Sequence, residues 1–579
     1  MLTGSNRALR YVTERSLSSP GEPVKVTDIR HSPSDVARFE AAGYWTKETS
    51  NEALEQLAHD RPDDLAIDDG RVRLTWAEMY RRARRLAAHF VSLGLTGGDV
   101  IAIQLPNWSE FAVAVNAAIM AGVPFCQVHS DFRSREIEFV LSFTKAAIFI
   151  CPVTFRKFDY LAMVAEIRPR LPSLRYLMAI GSNIPEGVFD LRAFLDRPGE
   201  LAVSETALEA RRPNGNDLAR VAFTSGTTGD PKAVLNLHNT TNCAIRFINR
   251  DHRLGPKDAI LLMLPVGLNW GLFNMLQAVM SGASLIMLEQ FSPAAVLELI
   301  EKHRISYLCC APAHIVSLLA SPDLSKRDVS SLRVAVTGGA SCPIEVIREF
   351  RRRMPGTLLE LYGMLEAGLQ SCTLIDDDPE SVVGTVGKPI KEVESIVVND
   401  KGAIAKTDEI GEILSRGPSV TVGYYNNPEA NTRAFTSDGW FHTGDLGTFD
   451  SRGYLRIVGR KKEMLIRGGA NIYPREIEEV LYQHPKIRDA AVIGVPDPRL
   501  GEKTCACVVP KDGETITFDE VVEFLRPKIA TYKLPEVFKV FSDLPRTPTG
   551  KIQKGPLLGL VLQGGAEVRA EGRGPQKTP

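Results

Sequence analysis

A chain of 579 residues is longer than one hydrophobic core serves, so several domains are expected, and 44% apolar with 24% charged residues describes a packed globular protein rather than a disordered one. A formal net charge of -1 and a pI near 6.8 give no electrostatic basis for a nucleic-acid or membrane-surface partner. The nine cysteines include no CxxC pair, which argues against structural zinc and a disulfide framework and suits a reducing cytoplasm.

In chain order, residues 1–40 are polar and are expected to form an irregular extension, and MLTGSNRALR lacks the apolar core of a signal peptide. DVIAIQLP at 99–106 reads as a strand followed by a helix through FAVAVNAAIMAG, and LRVAVTGG at 332–339 as a strand followed by a helix through IEVIREFRRRM. This alternation implies βαβ units and parallel sheets covered by helices. The basic runs RRARR at 81–85 and RRR at 351–353 fall in helix-like segments and are read as solvated faces. The apolar stretch around 259–288 is broken by Asn269, Asn274, Gln277 and Glu289, so no membrane span is expected.

After residue 371 the composition changes, and ESIVVND, GEILSRG and GYLRIVG, broken by Gly, Asp and Asn, suggest a compact β subdomain to about 460. A second change follows GRKKEMLIRGG at 459–469. In PREIEEVLYQHP, Ile477, Val480 and Leu481 share a helical face, and DAAVIGV, TCACVVP and VFKVF supply strands, which makes a small α+β domain of about a hundred residues. The last stretch, 561–579, has the composition of a disordered tail.

The strongest local signal is VAFTSGTTGDPK at 221–232: an apolar strand ending in a loop of two glycines, hydroxyl side chains and a closing lysine. Glycines let backbone amides approach an anion, hydroxyls donate to phosphate oxygens, and lysine adds a charge. An ordinary surface loop uses the same residue types, so the loop alone leaves both readings open. Its spacing is neither GxxxxGK(S/T) nor GxGxxG, which excludes a Walker loop and a dinucleotide fingerprint.

Four further stretches follow in order: LYGMLE at 361–366, GWFHTGDLG at 439–447, GYLRIVGRKKEMLIRGGANIYPREIEE at 453–479 and LPRTPTGKIQK at 544–554. Together with the loop they resemble the adenylate-forming superfamily, and from about residue 44 to 556 the chain looks closest to medium-chain or alicyclic acid–CoA ligases and aryl-acid AMP ligases. The resemblance implies an α/β fold: a large N-terminal domain, 41–460, of two α/β-sheet subdomains plus a small β subdomain, then a mobile small α+β C-terminal domain at 461–560. It implies a two-step reaction: a carboxylate attacks ATP to give an acyl-adenylate, and the thiol of coenzyme A then displaces AMP.

By the same resemblance, Thr224, Ser225, Gly226, Thr227, Thr228, Gly229 and Lys232 form the phosphate loop. Tyr362 and Gly363, with the backbone of Gly338, Gly339 and Ala340, border the adenine, and Asp445 and Arg460 hold the ribose. Glu366 is the Mg²⁺ ligand and Lys551 the lysine that bridges substrate carboxylate and α-phosphate. Lys462 is the hinge, and Gly468 and Gly469 border the pantetheine of coenzyme A. Leu268, Asn269 and Trp270 face the acid, for which a salicylate-like hydroxyl contact at Asn269 and a bulky apolar body are both left open, as is plain core packing.

Leu365 departs from the pattern, because most relatives carry threonine there and its hydroxyl donates to the α-phosphate. The expectation is weakened adenylation with thioester formation retained. The alternatives are a ligase that only thioesterifies a preformed acyl-adenylate, an aryl-acid AMP ligase that loads a carrier protein, and a non-catalytic acyl-nucleotide sensor. A homodimer is admissible.

Overall fold

The computed structural model describes residues 31–196, 201–224, 231–340, 342–547 and 551–564. They fall into two compact units, one formed by the described residues of 31–224, 232–309 and 418–431, the other by Pro231 and the described residues of 310–417 and 432–564.

The first unit holds an eight-stranded sheet whose strands run, in spatial order, Gly423–Tyr424, Ala233–Leu237, Leu218–Phe223, Phe125–Gln127, Ile101–Ile103, Ile148–Pro152, Tyr176–Ile180 and Phe189–Asp190. From Leu218–Phe223 to Phe189–Asp190 the neighbours are parallel, as the alternating pattern requires. Leu218–Phe223 and Ala233–Leu237 pair antiparallel, so the glycine- and hydroxyl-rich stretch between them joins two strands. Five more strands pair in the order Tyr307–Cys310, Ala259–Leu262, Ser284–Met287, Leu65–Asp68 and Arg73–Thr75.

Helix His238–Asp251 packs on Leu218–Phe223 and Ala233–Leu237 and against helix Asn269–Ser281, which packs in turn on Ala259–Leu262 and Ser284–Met287. Both helices are buried almost all round, the mark of an internal layer. The expectation of an irregular segment over 1–40 needs correction for its described part. Ser32 caps a helix at Pro33–Ala41 with proline in the first turn, and Phe39 is buried against Trp45. Residues 1–30 lie outside the described residues.

In the second unit Val334–Gly338 runs parallel to Thr357–Met364, which turns back antiparallel into Gly368–Cys372 and then Lys388–Pro389. A separate antiparallel sheet is made by Glu394–Val398, Gly411–Arg416, Phe441–Phe449 and Leu455–Arg460. The strand at 368–372 belongs to the first of these sheets, so the β subdomain's own sheet starts at Glu394.

The small α+β part is built on the long hairpin Ile487–Asp497 with Gly501–Pro510. One face of this hairpin packs on helix Pro474–Leu481 through Ile477 and Leu481, the other on Leu557 of helix Lys554–Leu562. Burial on both faces explains the unbroken apolar runs DAAVIGV and TCACVV. The nine cysteines are buried and form no disulfide, and Cys505 and Cys507 share a face with their sulfurs 3.8 Å apart. Among the described residues no helix is long and apolar enough to cross a membrane.

Candidate active site

Strand register brings Asp445 opposite Arg460, whose Nε donates to Asp445 Oδ1 at 2.6 Å. Tyr362 OH donates to the other oxygen, Oδ2, at 2.8 Å, and the Asp445 N–H donates to Thr443 Oγ1 at 3.1 Å. A carboxylate offers about four lone-pair sites, so this one, only 6% exposed, retains acceptor capacity for two further hydroxyls. The Tyr362 ring is packed with Val397, Ile413 and Leu455. Burial, and then the Asp445 charge, raise its phenol well above the ordinary value, so it remains a donor.

Strand Val334–Gly338 ends in Gly339 and Ala340, both exposed, and Gly339 has a φ of +74°, which favours glycine. A Cβ placed on Gly339 would stand 3.5 Å from Lys551 Cε, so the lysine side chain passes directly over this backbone. Lys551 is held at the neck of its loop: its N–H donates to Thr547 Oγ1 at 3.1 Å, and the Thr547 N–H donates to the Lys551 carbonyl at 2.7 Å.

The Lys551 side chain is solvent-exposed, yet protein surrounds its ammonium on several sides. Desolvation, and then repulsion by Arg460, lower its pKa, against attraction from Asp445, Glu366 and Glu463. Residues 548–550 lie outside the described residues.

Leu365 and Glu366 occupy the turn of the hairpin between Thr357–Met364 and Gly368–Cys372, and both are half-buried. Gly363 is dictated by packing, since a Cβ there would stand 2.5 Å from the Gly368 carbonyl oxygen. No group of three or more His, Cys, Asp or Glu side chains among the described residues could hold a metal ion by itself. A single carboxylate at Glu366 fits Mg²⁺ all the same, because that ion keeps several waters and takes one or two carboxylates plus substrate phosphates.

In the first unit, the Thr224 N–H donates to the Lys232 carbonyl at 3.0 Å and the Lys232 N–H to Thr224 Oγ1 at 3.1 Å, which ties together the two ends of the connection between strands Leu218–Phe223 and Ala233–Leu237. Lys232 Nζ lies 4.8 Å from the centre of the Tyr424 ring. Ser225, Gly226, Thr227, Thr228 and Gly229 lie outside the described residues. Leu268 precedes helix Asn269–Ser281, whose first residues are Asn269 and Trp270, and all three side chains are half-buried.

Lys462 is the middle residue of a single 3₁₀ turn, Lys461–Glu463, between the last strand of the β subdomain and the first strand of the small sheet. Gly468 and Gly469 form the two-residue turn between Leu465–Arg467 and Ala470–Ile472 with φ of +58° and +86°, so turn geometry alone requires glycine at both.

Two residues escaped the sequence reading. Thr443, which orients the Asp445 backbone, was visible in HTGD but indistinguishable from other turn hydroxyls. Arg220 hydrogen-bonds Asn269 from the middle of a buried strand, and its signal was a charge inside the apolar run LARVAF.

The comparisons with known proteins agree with this geometry. Residues 54–425 match the family described as AMP-binding enzyme, and residues 476–551 match its C-terminal domain. The chain belongs to the AMP-binding enzyme family. It is 34% identical over 522 residues to the medium-chain fatty-acid–CoA ligase of Escherichia coli (strain K12), which covers 90% of this chain and 91% of that protein. It is 32% identical to the 2-hydroxy-7-methoxy-5-methyl-1-naphthoate–CoA ligase of Streptomyces carzinostaticus, over 91% of this chain and 95% of the relative. Among solved structures, ATP-bound MatB from Rhodopseudomonas palustris superposes with a TM-score of 0.80 at 29% identity, covering 90% of this chain and all of that one.

Proposed function

We propose that this protein, an AMP-forming acid–CoA ligase, joins a bulky cyclic or aromatic carboxylic acid to coenzyme A through an acyl-adenylate. The observation that carries the reading is the placement of Lys551, a residue of the small α+β part, against Gly339 and within the electrostatic reach of Asp445, Arg460 and Glu366. Two anions meet when a carboxylate attacks a phosphate, and a cation held at that point stabilises the charge that builds up.

In this reading Asp445 and Arg460 hold the ribose, Tyr362 with the Gly338–Ala340 backbone borders the base, and Thr224 and Lys232 end the phosphate loop. ATP supplies the leaving pyrophosphate, and Glu366 would hold a Mg²⁺ ion that would neutralise phosphate charge. Lys551 favours the first half-reaction and would crowd an incoming thiol, so the small domain turns at Lys462 between steps. Nine buried cysteines that form no disulfide suit a reducing cytoplasm.

Leu365 favours a second reading, in which adenylation is slow and the enzyme works chiefly on preformed acyl-adenylate. It adjoins Glu366 in the same turn, offers no donor and is larger than threonine. The test is acid-dependent ATP–pyrophosphate exchange beside CoA thioester formation from a synthetic acyl-adenylate. Exchange and thioester formation together establish the full ligase, and thioester without exchange establishes the second reading. Failure of both, with coenzyme A and with a phosphopantetheinyl carrier as acceptor, rejects the ligase.

A further inference from the structure

Arg220 lies in the middle of strand Leu218–Phe223 and is 1% exposed. Its Nη2 donates to Asn269 Oδ1 at 2.7 Å, and its guanidinium stands 5.6 Å from the centre of the Phe273 ring. Among the described residues Nε and Nη1 have no hydrogen-bond partner, and no carboxylate forms an ion pair with the group. Burial pulls its pKa down to about 9, with only the Cys126 thiol acting the other way.

A buried cation without a counter-ion opposes folding, and proteins ordinarily pair such charges or leave them in water. Directly opposite Arg220 on Ala233–Leu237 is Asn236, whose buried Nδ2 also lacks a partner among the described residues. Gln127 Oε1 in the same sheet is unpaired too, but a neutral amide supplies no counter-charge. The neighbourhood is thus rich in donors and short of negative charge.

The bond to Arg220 also decides which way Asn269 faces. With Oδ1 engaged, the amide presents Nδ2, for which the described residues provide no partner, from a half-buried position at the start of its helix. An asparagine that faced outward with oxygen would take a donor; this one takes an acceptor.

We infer that Arg220 is a positioning residue for acid selection: it holds Asn269 with the amide nitrogen outward, backs it with positive charge, and so favours acids whose body carries an acceptor oxygen over hydrocarbon acids. This rests on the reading of Leu268–Trp270 as the acid-facing segment. The substrate class it names is a cyclic or aromatic acid bearing a hydroxyl, phenolate, keto or second carboxylate oxygen.

The experiment uses the full chain with ATP, Mg²⁺ and coenzyme A, and matched acids: 2-hydroxybenzoate against benzoate, and 1-hydroxy-2-naphthoate against 2-naphthoate. The wild type is expected to prefer the oxygenated member of a pair at least tenfold in kcat/KM, carried by KM, which corresponds to about 1.4 kcal/mol. In Arg220→Met the preference collapses toward unity while Tm holds or rises, because an unneutralised charge has been removed. Asn269→Asp gives Arg220 a counter-ion, raises Tm and turns the preference against the oxygenated acid.

Equal wild-type efficiency for the matched acids overturns the inference and leaves the ligase reading standing. So does an Arg220→Met protein that keeps the preference, or one that no longer folds, since the charge is then structural. No thioester from any acid, and none from the corresponding synthetic acyl-adenylates, rejects the ligase reading, and the inference falls with it.

Discussion

Lys551→Met removes the cation that passes over Gly339 while keeping a side chain of similar length. The lysine is solvent-exposed without substrate, so its loss is expected to leave folding unchanged to about 0.5 kcal/mol. Its contribution arises when ATP and the acid are bound. Two unit charges about 4 Å apart attract by roughly 4 kcal/mol at an effective dielectric near 20, the value suited to a pair at a protein surface closed off by ligand. At 1.36 kcal/mol per decade this corresponds to roughly a thousandfold in rate.

Repulsion from Arg460, set against attraction from Asp445, Glu366 and Glu463, already surrounds the ammonium, so the phosphate is an added partner rather than the first. The assay is ATP–pyrophosphate exchange measured beside thioester formation from synthetic acyl-adenylate, with Tm as the control on folding. Exchange should fall about a thousandfold and the thioester step by less than tenfold. A loss of exchange smaller than tenfold, or an equal loss in both steps, would refute the placement of Lys551 as the adenylation cation.

Leu365→Thr should raise exchange by roughly ten- to 150-fold, the worth of one hydrogen bond to a charged group, and leave the thioester step unchanged; exchange that stays flat assigns no α-phosphate contact to this position. The exchange rate should fall with rising pH on an alkaline limb below 10.5, because desolvation and Arg460 lower the folded pKa of Lys551 and the ammonium is lost early. That limb should be missing from the thioester step and move to higher pH in Lys551→Arg. Asp445→Asn deprives Arg460 Nε of its ionised acceptor and weakens the acceptor of Tyr362 OH, so calorimetry should find AMP bound roughly ten- to 150-fold more weakly, with a lower Tm.

The groups from which the proposed site is built were legible in the sequence. Glycines, hydroxyls and a lysine in TSGTTGDPK, the carboxylate in HTGDLG and the lysine in PTGK each carry their chemistry in their residue types. The parallel sheets followed from short apolar strands alternating with amphipathic helices, and the small domain from the helical face of Ile477, Val480 and Leu481 beside the strand runs DAAVIGV, TCACVVP and VFKVF. Even the helix at Pro33–Ala41 had a signal, serine before proline, although the polar composition around it concealed it.

What the sequence determined by itself was therefore which groups are available and which elements carry them, since residue type and local periodicity are properties of short stretches. Only the tertiary structure decided which groups meet. Antiparallel register sets Asp445 against Arg460, a chain reversal lays Lys551 over Gly339, and tertiary packing brings Asn269, at the start of its helix, to Arg220 in the middle of a strand. Such meetings depend on burial and pairing summed over many distant residues, so a buried arginine with one amide for company leaves almost no local trace in the chain that folds around it.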